Sequence, residues 1–192
     1  MKKLSIFIVP FLAFAIVSCG GSKEQKSEKN EVVCEVENKI AVTVQDYYYS
    51  MSDTLEFNTA SFEIKQSKYE WLNDSTVSLK FMNYTEDEFE GRRTENQMDI
   101  NIELNARKGK KLEPGYYKYH DYESGMWSRV TLTTAYGTVW FNWNMGMPEQ
   151  GGITIEHVSK EAVCGTLSLN VENPESSTIG IVKVNGPFVY KK

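Results

Sequence analysis

The chain has 192 residues, 41% hydrophobic and 24% charged, with a formal net charge of −5. An acidic chain without a concentrated basic stripe is a poor general binder of nucleic acid or of anionic lipid headgroups, so no nucleic-acid partner is expected. Three cysteines and two histidines offer no CxxC or Cys/His metal spacing, and no glycine loop has a phosphate-binding pattern; neither a metal nor a cofactor is expected.

The N-terminus reads Met1-Lys2-Lys3, followed by a largely apolar run over 4–17 interrupted by Pro10. That run is shorter than the roughly 20 apolar residues of a membrane-spanning helix. It fits the apolar core of a secretory signal, about 7–15 residues behind a positive start. It ends Ile16-Val17-Ser18-Cys19-Gly20, which resembles the lipobox of bacterial lipoproteins. The resemblance implies that residues 1–18 are a signal peptide. It also implies that Cys19 becomes an acylated, palmitate-type N-terminus anchored in the cell envelope, at the outer membrane. The face of that membrane is left open. Two or three acyl chains hold a protein firmly where one does not.

Residues 20–31, GGSKEQKSEKNE, hold no aliphatic or aromatic side chain, so with Cys19 they read as a flexible tether. Residues 32–192 then form a single domain, long enough for its own core. Loss of the leader removes two lysines and no acids. That leaves 19 basic against 26 acidic residues, a mature charge of −7. Cys34 and Cys164 remain in a compartment that permits disulfides. A bridge between them closes a loop of roughly 130 residues, for which loop-closure entropy is about 5 kcal/mol. The alternative is two separate buried thiols. Spacing cannot choose, because bridging depends on a Cα separation that the fold sets.

The folded part has period two. Val77, Leu79 and Phe81 alternate with Ser78 and Lys80. Over 98–106, Ile100, Ile102, Leu104 and Ala106 alternate with Asn101, Glu103 and Asn105. Ile153 and Ile155 lead a late strand, Val163, Leu167 and Leu169 lie in the next, and 179–184 and 188–190 finish the chain. Each run sets an apolar face against a core and a polar face towards water. Asn73-Asp74-Ser75, Gly151-Gly152, Asn173-Pro174 and Asn185-Gly186-Pro187 read as breakers between strands, and Pro114-Gly115 as a turn before Tyr116. No stretch is a convincing amphipathic helix. The expected fold is all-β: an antiparallel sandwich or barrel-like form of about ten or eleven strands. The charge-dense run 84–97 reads as a solvated hairpin loop. A calcium loop is the sharper alternative, but its carboxylate spacing matches no calcium motif.

From residue 151 the chain carries a strand at 153–158, a strand opening Gly165-Thr166, and then Asn185-Gly186-Pro187-Phe188. With the turn at Leu112-Glu113-Pro114-Gly115-Tyr116, this pattern resembles the C-terminal part of β-sandwich lipoproteins common in Bacteroidetes. The resemblance covers about a quarter of the chain. It implies an all-β lipoprotein and brings no catalytic residue. Each motif has a structural reason of its own: glycine for a turn or bulge, phenylalanine for the core.

His120 and His157 are the only candidate imidazole bases. Neither is accompanied by a GxSxG elbow or another nucleophile signature, and each reads as a surface or strand-edge residue. The expectation is a non-enzymatic binding or interaction module, with a hydrolase as the weakest reading. The tryptophans give that module a face. Residues 126–134 and 137–145 read as a hairpin through Thr134-Ala135-Tyr136-Gly137. In that register Thr131 opposes Trp140, Arg129 opposes Asn142 and Trp127 opposes Asn144. Trp127 and Trp140 then share a polar face about 13 Å apart at ~3.3 Å per residue, with Arg129 and Asn142 between them. Indole faces beside amide and guanidinium donors suit a glycan; a protein ligand is the other occupant considered. The alternative from a different class is a lipocalin-like carrier with an enclosed apolar cavity.

Overall fold

The computed structural model describes residues 34–48, 54–107, 109–123, 125–140, 150–172 and 180–192. Cys19 and Asn142 lie outside them. The strands are β1 (Ala41–Tyr48), β2 (Thr54–Thr59), β3 (Gln66–Asn73), β4 (Thr76–Met82), β5 (Asp99–Ala106) and β6 (Gly115–Tyr119). They continue as β7 (Met126–Thr134), β8 (Gly137–Trp140), β9 (Gly151–Val158), β10 (Ala162–Glu172) and β11 (Ile181–Lys191).

Period two has the consequence expected of it. Val77, Leu79 and Phe81 of β4 are fully buried, as are Ile100, Ile102 and Leu104 of β5. Their register pairs Phe81 with Ile100, Leu79 with Ile102 and Val77 with Leu104, so both strands present one apolar face together. On its other edge β5 pairs Ile100 with Leu132 and Ile102 with Val130 of β7. A slip of one residue would turn this whole set to solvent, which pins the register.

Of the two forms open to an all-β chain, the described residues take the barrel-like one. A single continuous sheet runs β2-β1-β11-β10-β9-β6-β7-β5-β4-β3, with β8 on β7, and it curls into a half-barrel. Every pairing is antiparallel except β6 with β7. The curl brings distant strands together across the inner face. Phe81 of β4 meets Phe188 of β11 at 6.0 Å, and Tyr69 of β3 meets Tyr190 of β11 at 5.1 Å.

The two end strands, β2 and β3, are consecutive in the chain. Their connection crosses the seam with Phe62 buried, its N–H donating to the Ile40 carbonyl (2.6 Å). On the β3 side the seam is held by side chains. The Tyr69 hydroxyl donates to the Ser159 carbonyl (2.6 Å), and Trp71 Nε1 donates to the Tyr69 oxygen (2.9 Å). Burial pushes the Tyr69 phenol up to about 12, against the lowering effect of the Trp71 bond.

Three expectations resolve here. Cys34 and Cys164 form a disulfide with Cα atoms 5.9 Å apart, joining the segment ahead of β1 to β10. Gly151-Gly152 and Asn185-Gly186-Pro187 do not break the sheet: β9 begins at Gly151, and β11 runs through 185–187. These glycines relieve close backbone approaches. Gly186 has φ +123°, and a Cβ there would fall on the Lys39 carbonyl oxygen. Gly165 sits at a register irregularity between β10 and β9, as a bulge glycine should.

The run 84–97 is a strapped loop rather than a freely solvated one. Asp99, 1% exposed, is its hub. Arg93 donates to both carboxylate oxygens (Nε to Oδ1 2.9 Å, a terminal nitrogen to Oδ2 2.6 Å). The Tyr84 hydroxyl donates to Oδ1 (2.6 Å), and Lys80 pairs with Oδ2 (2.8 Å). Desolvation alone would raise the Asp99 pKa. The bonds from Arg93, Lys80 and Tyr84 outweigh it and hold the group below the usual carboxylate range. Burial pushes Tyr84 up to about 12. Glu86 and Glu88, the carboxylates a calcium ion would need, pair with Lys68 and Lys65. No group of three or more metal-ligating side chains lies together among the described residues.

Candidate functional site

The site forms where β6 meets β7. Parallel strands ordinarily need a crossover of a dozen or more residues. Here six residues suffice because the overlap is short, Lys118 beside Trp127 and Tyr119 beside Ser128. The turn is made by His120 in the left-handed region (φ 52°) and Gly125 (φ 88°). Left-handed backbone is uncommon for a residue with a Cβ, though histidine tolerates it better than most. It is fixed here by the His120 N–H donating to the Ser128 carbonyl (2.9 Å). The Ser128 hydroxyl also donates to the Tyr117 carbonyl (3.0 Å).

β7 divides its side chains between two faces. Ser128, Val130, Leu132 and Thr134 are buried on one face; on the other Trp127, Arg129 and Thr133 are half-buried and Thr131 is buried. His120 follows the last register pair, and its imidazole is near enough for the Arg129 charge to act on it. The His120 ring lies 4.5 Å from Tyr119 and 5.6 Å from Tyr122. Tyr122, 53% exposed, meets the Trp127 indole edge-on at 4.5 Å, and its oxygen is 3.4 Å from His120 Nδ1. Nearby on the same outer side of β6, Tyr116 is exposed and its ring lies over Gly152, where a Cβ would crowd it. Glu103 stands opposite Arg129 on β5 and accepts from the Asn105 amide (2.9 Å). Asn105 in turn accepts from Thr76 (3.1 Å).

Two nitrogens in this cluster are shielded from water and have no hydrogen-bond partner among the described residues: Arg129 Nε and His120 Nε2. An unmet buried polar group costs about 1–3 kcal/mol. Neighbouring orphans on partly exposed residues are therefore a feature to explain. Burial, with the Arg129 charge next, lowers the His120 pKa, against a smaller upward pull from Glu103; the imidazole is neutral at pH 7.

The sequence pairing of Thr131 with Trp140 holds in the backbone of β7 and β8. The extension of that hairpin to Trp127 does not. At Trp127 the edges of β7 pair with Lys118 of β6 and Asn105 of β5; Asn142 and Asn144 lie outside the described residues. Trp127 and Arg129 share the outer face as expected. Of Trp140 only the backbone pairing is described.

No family model, curated protein or solved structure matches the chain.

Sequence reasoning missed His120, Tyr122 and Glu103. For His120 and Tyr122 the signal was the Tyr119-His120-Asp121-Tyr122 run, three to six residues before Gly125 and five to eight before Trp127. His157 lies 3.2 Å from the Ser159 hydroxyl. That hydroxyl is bound into its own turn, accepting from Ala162 N (3.1 Å) and Glu161 N (3.3 Å). The pair therefore serves the β9–β10 connection.

Proposed function

We propose that the protein is an exported, lipid-anchored binding module of the cell envelope that takes a carbohydrate against Trp127. The observation that carries the binding reading is the outer-face cluster of Trp127, Tyr122, His120 and Arg129. It sets the exposed Tyr122 ring edge-on to the Trp127 indole, with the half-buried Arg129 on the same face of β7 as a side chain that can only donate. Sugars offer apolar C–H faces for aromatic rings and many acceptor oxygens for such donors.

Two observations support export and anchoring. The segment ending at Cys19 has the pattern of a lipobox, and the Cys34–Cys164 bridge suits an oxidising compartment. The inner face of the sheet is filled by large buried side chains, among them Tyr117, Phe81 and Phe188, which favours an outer-face site over an interior carrier.

The test of binding is a thermal-shift screen of the full chain in mild detergent against oligosaccharides and fatty acids. A native-state ligand at 100 times its Kd stabilises by about 2.7 kcal/mol. Stabilisation by oligosaccharides, lost in Trp127→Ala, supports the module. Stabilisation by fatty acids alone sinks it. For anchoring, Cys19→Ala should abolish acyl labelling and membrane association; a variant still labelled and membrane-bound overturns that part.

A further inference from the structure

Building on the carbohydrate reading, we infer that the site takes a chain of two or three sugars rather than a single one, lying across the strands from Tyr116 to Trp127.

The rings that would stack on such a chain are open to solvent. β6 alternates, so Tyr117 is fully buried in the core while Tyr116 and Lys118 stand on the outer face. Tyr116 and Tyr122 are both exposed, and Tyr122 meets the half-buried Trp127 at 4.5 Å. The register sets these groups in a row. Lys118 pairs with Gly152 of β9 on one side and with Trp127 of β7 on the other. Gly152 has no side chain, and the end of the Tyr116 ring occupies the space that a Cβ there would fill. One aromatic platform therefore lies on the β9 side of Lys118 and the other on its β7 side. Adjacent strands are about 4.8 Å apart, which places the backbone beneath the two platforms about 10 Å apart across β6. One pyranose ring cannot stack on both, whereas a chain of two or three can.

Between the platforms stands a polar pair that solvent reaches. Lys118 Nζ lies 3.3 Å from Asp121 Oδ2, and the other Asp121 oxygen accepts from the Glu123 N–H (3.1 Å). The turn thus fixes the carboxylate, and the carboxylate fixes the half-exposed ammonium. Asp121 takes one of its three N–H donors, which leaves donors for the hydroxyl or ring oxygens of a sugar passing over β6. Thr154, the exposed register partner of Tyr116, adds a hydroxyl that donates and accepts. Charges on this face come in opposed pairs: Lys118 with Asp121, and Arg129 across from Glu103. Uncharged sugars are therefore the probe.

The deciding experiment is a chain-length series. Gluco-, manno-, galacto- and xylo-oligosaccharides of one to five units are titrated by calorimetry into the full chain in mild detergent. In at least one series the affinity should rise roughly three- to tenfold, as a second aromatic contact provides, between one and three units and then stop rising. Tyr116→Ala should erase that rise and leave the affinity for the single sugar unchanged. Trp127→Ala should lose binding at every length. Equal affinity at every length in wild-type protein, or a rise that persists in Tyr116→Ala, overturns this inference and leaves the carbohydrate reading standing. Binding of no series overturns both. The wild-type series decides even if a variant fails to fold.

Discussion

Opening the Cys34–Cys164 bridge should cost more stability than any single side chain in the domain. The two residues are 130 positions apart. Loop-closure entropy for a cross-link of that span is about 5 kcal/mol at 25 °C. Domains of this size have about 5–15 kcal/mol in total. Cys34→Ala should therefore remove at least a third of the stability, and at about 2–4 °C per kcal/mol lower the melting temperature by roughly 10–20 °C. The double variant Cys34→Ala/Cys164→Ala should lose a similar amount, because either change opens the same loop. Urea unfolding of the purified full chain, before and after reduction of the wild type, is the assay, with free thiols counted in parallel. If reduction leaves the wild type unmoved while Cys34→Ala falls, packing and not the cross-link is the cause. A loss below about 1 kcal/mol in every case would refute the entropic reasoning.

Asp99→Asn strands Arg93 and Lys80 beside a neutral amide and should cost about 3 kcal/mol by denaturant unfolding. Because the folded Asp99 pKa lies below its unfolded value of about 3.9, its contribution is present above that pH and lost as pH falls through the folded value. The variant should flatten that acid limb, and an unchanged limb counts against the hub. At the alkaline end the sign reverses. Tyr69 and Tyr84 titrate near 12 when folded and near 10 when unfolded, so stability is full below pH 10 and declines between 10 and 12. Circular dichroism read with tyrosinate absorbance should show phenol ionisation and unfolding together; early ionisation in a fully folded protein would contradict the burial. Gly186→Ala should cost about 3 kcal/mol or prevent folding, from backbone strain and collision with Lys39. Gly91→Ala, with φ +82° but open space around it, should cost only about 1 kcal/mol. Equal losses at the two positions would remove collision as the reason.

The strands were legible because alternation is a local property. Ile100, Ile102 and Leu104 declare their face without reference to any partner. Which strands adjoin was not legible: the pairing of β6 with both β9 and β7 joins segments that share no local cue. The same gap hid the disulfide, whose Cα separation exists only once β10 has been placed. Gly151 and Gly186 misled because glycine is selected for two reasons, to turn a chain or to let another backbone pass close by. The second cannot be told from the first without the neighbour. In the site, Trp127 and Arg129 fall on one face by their spacing of two. His120 and Tyr122 join them through a left-handed turn that alternation does not encode.

The bridge also decides how the domain bears a pull. It enters β10, which is flanked by β9 and β11 in the interior of the sheet path. A tug on the chain ahead of residue 34 therefore passes through a covalent bond into the middle of the sheet. It bypasses β1, whose pairs with β11 run from Ala41 to Gln45. With the sulfurs separated, the same tug would work on β1 directly and peel it from β11 one pair at a time, the weakest way to load a strand. If the domain is held by its N-terminus, as proposed, the cross-link turns an unzipping load into one borne across several strands at once, and a reductant would cut that mechanical strength before it unfolded anything.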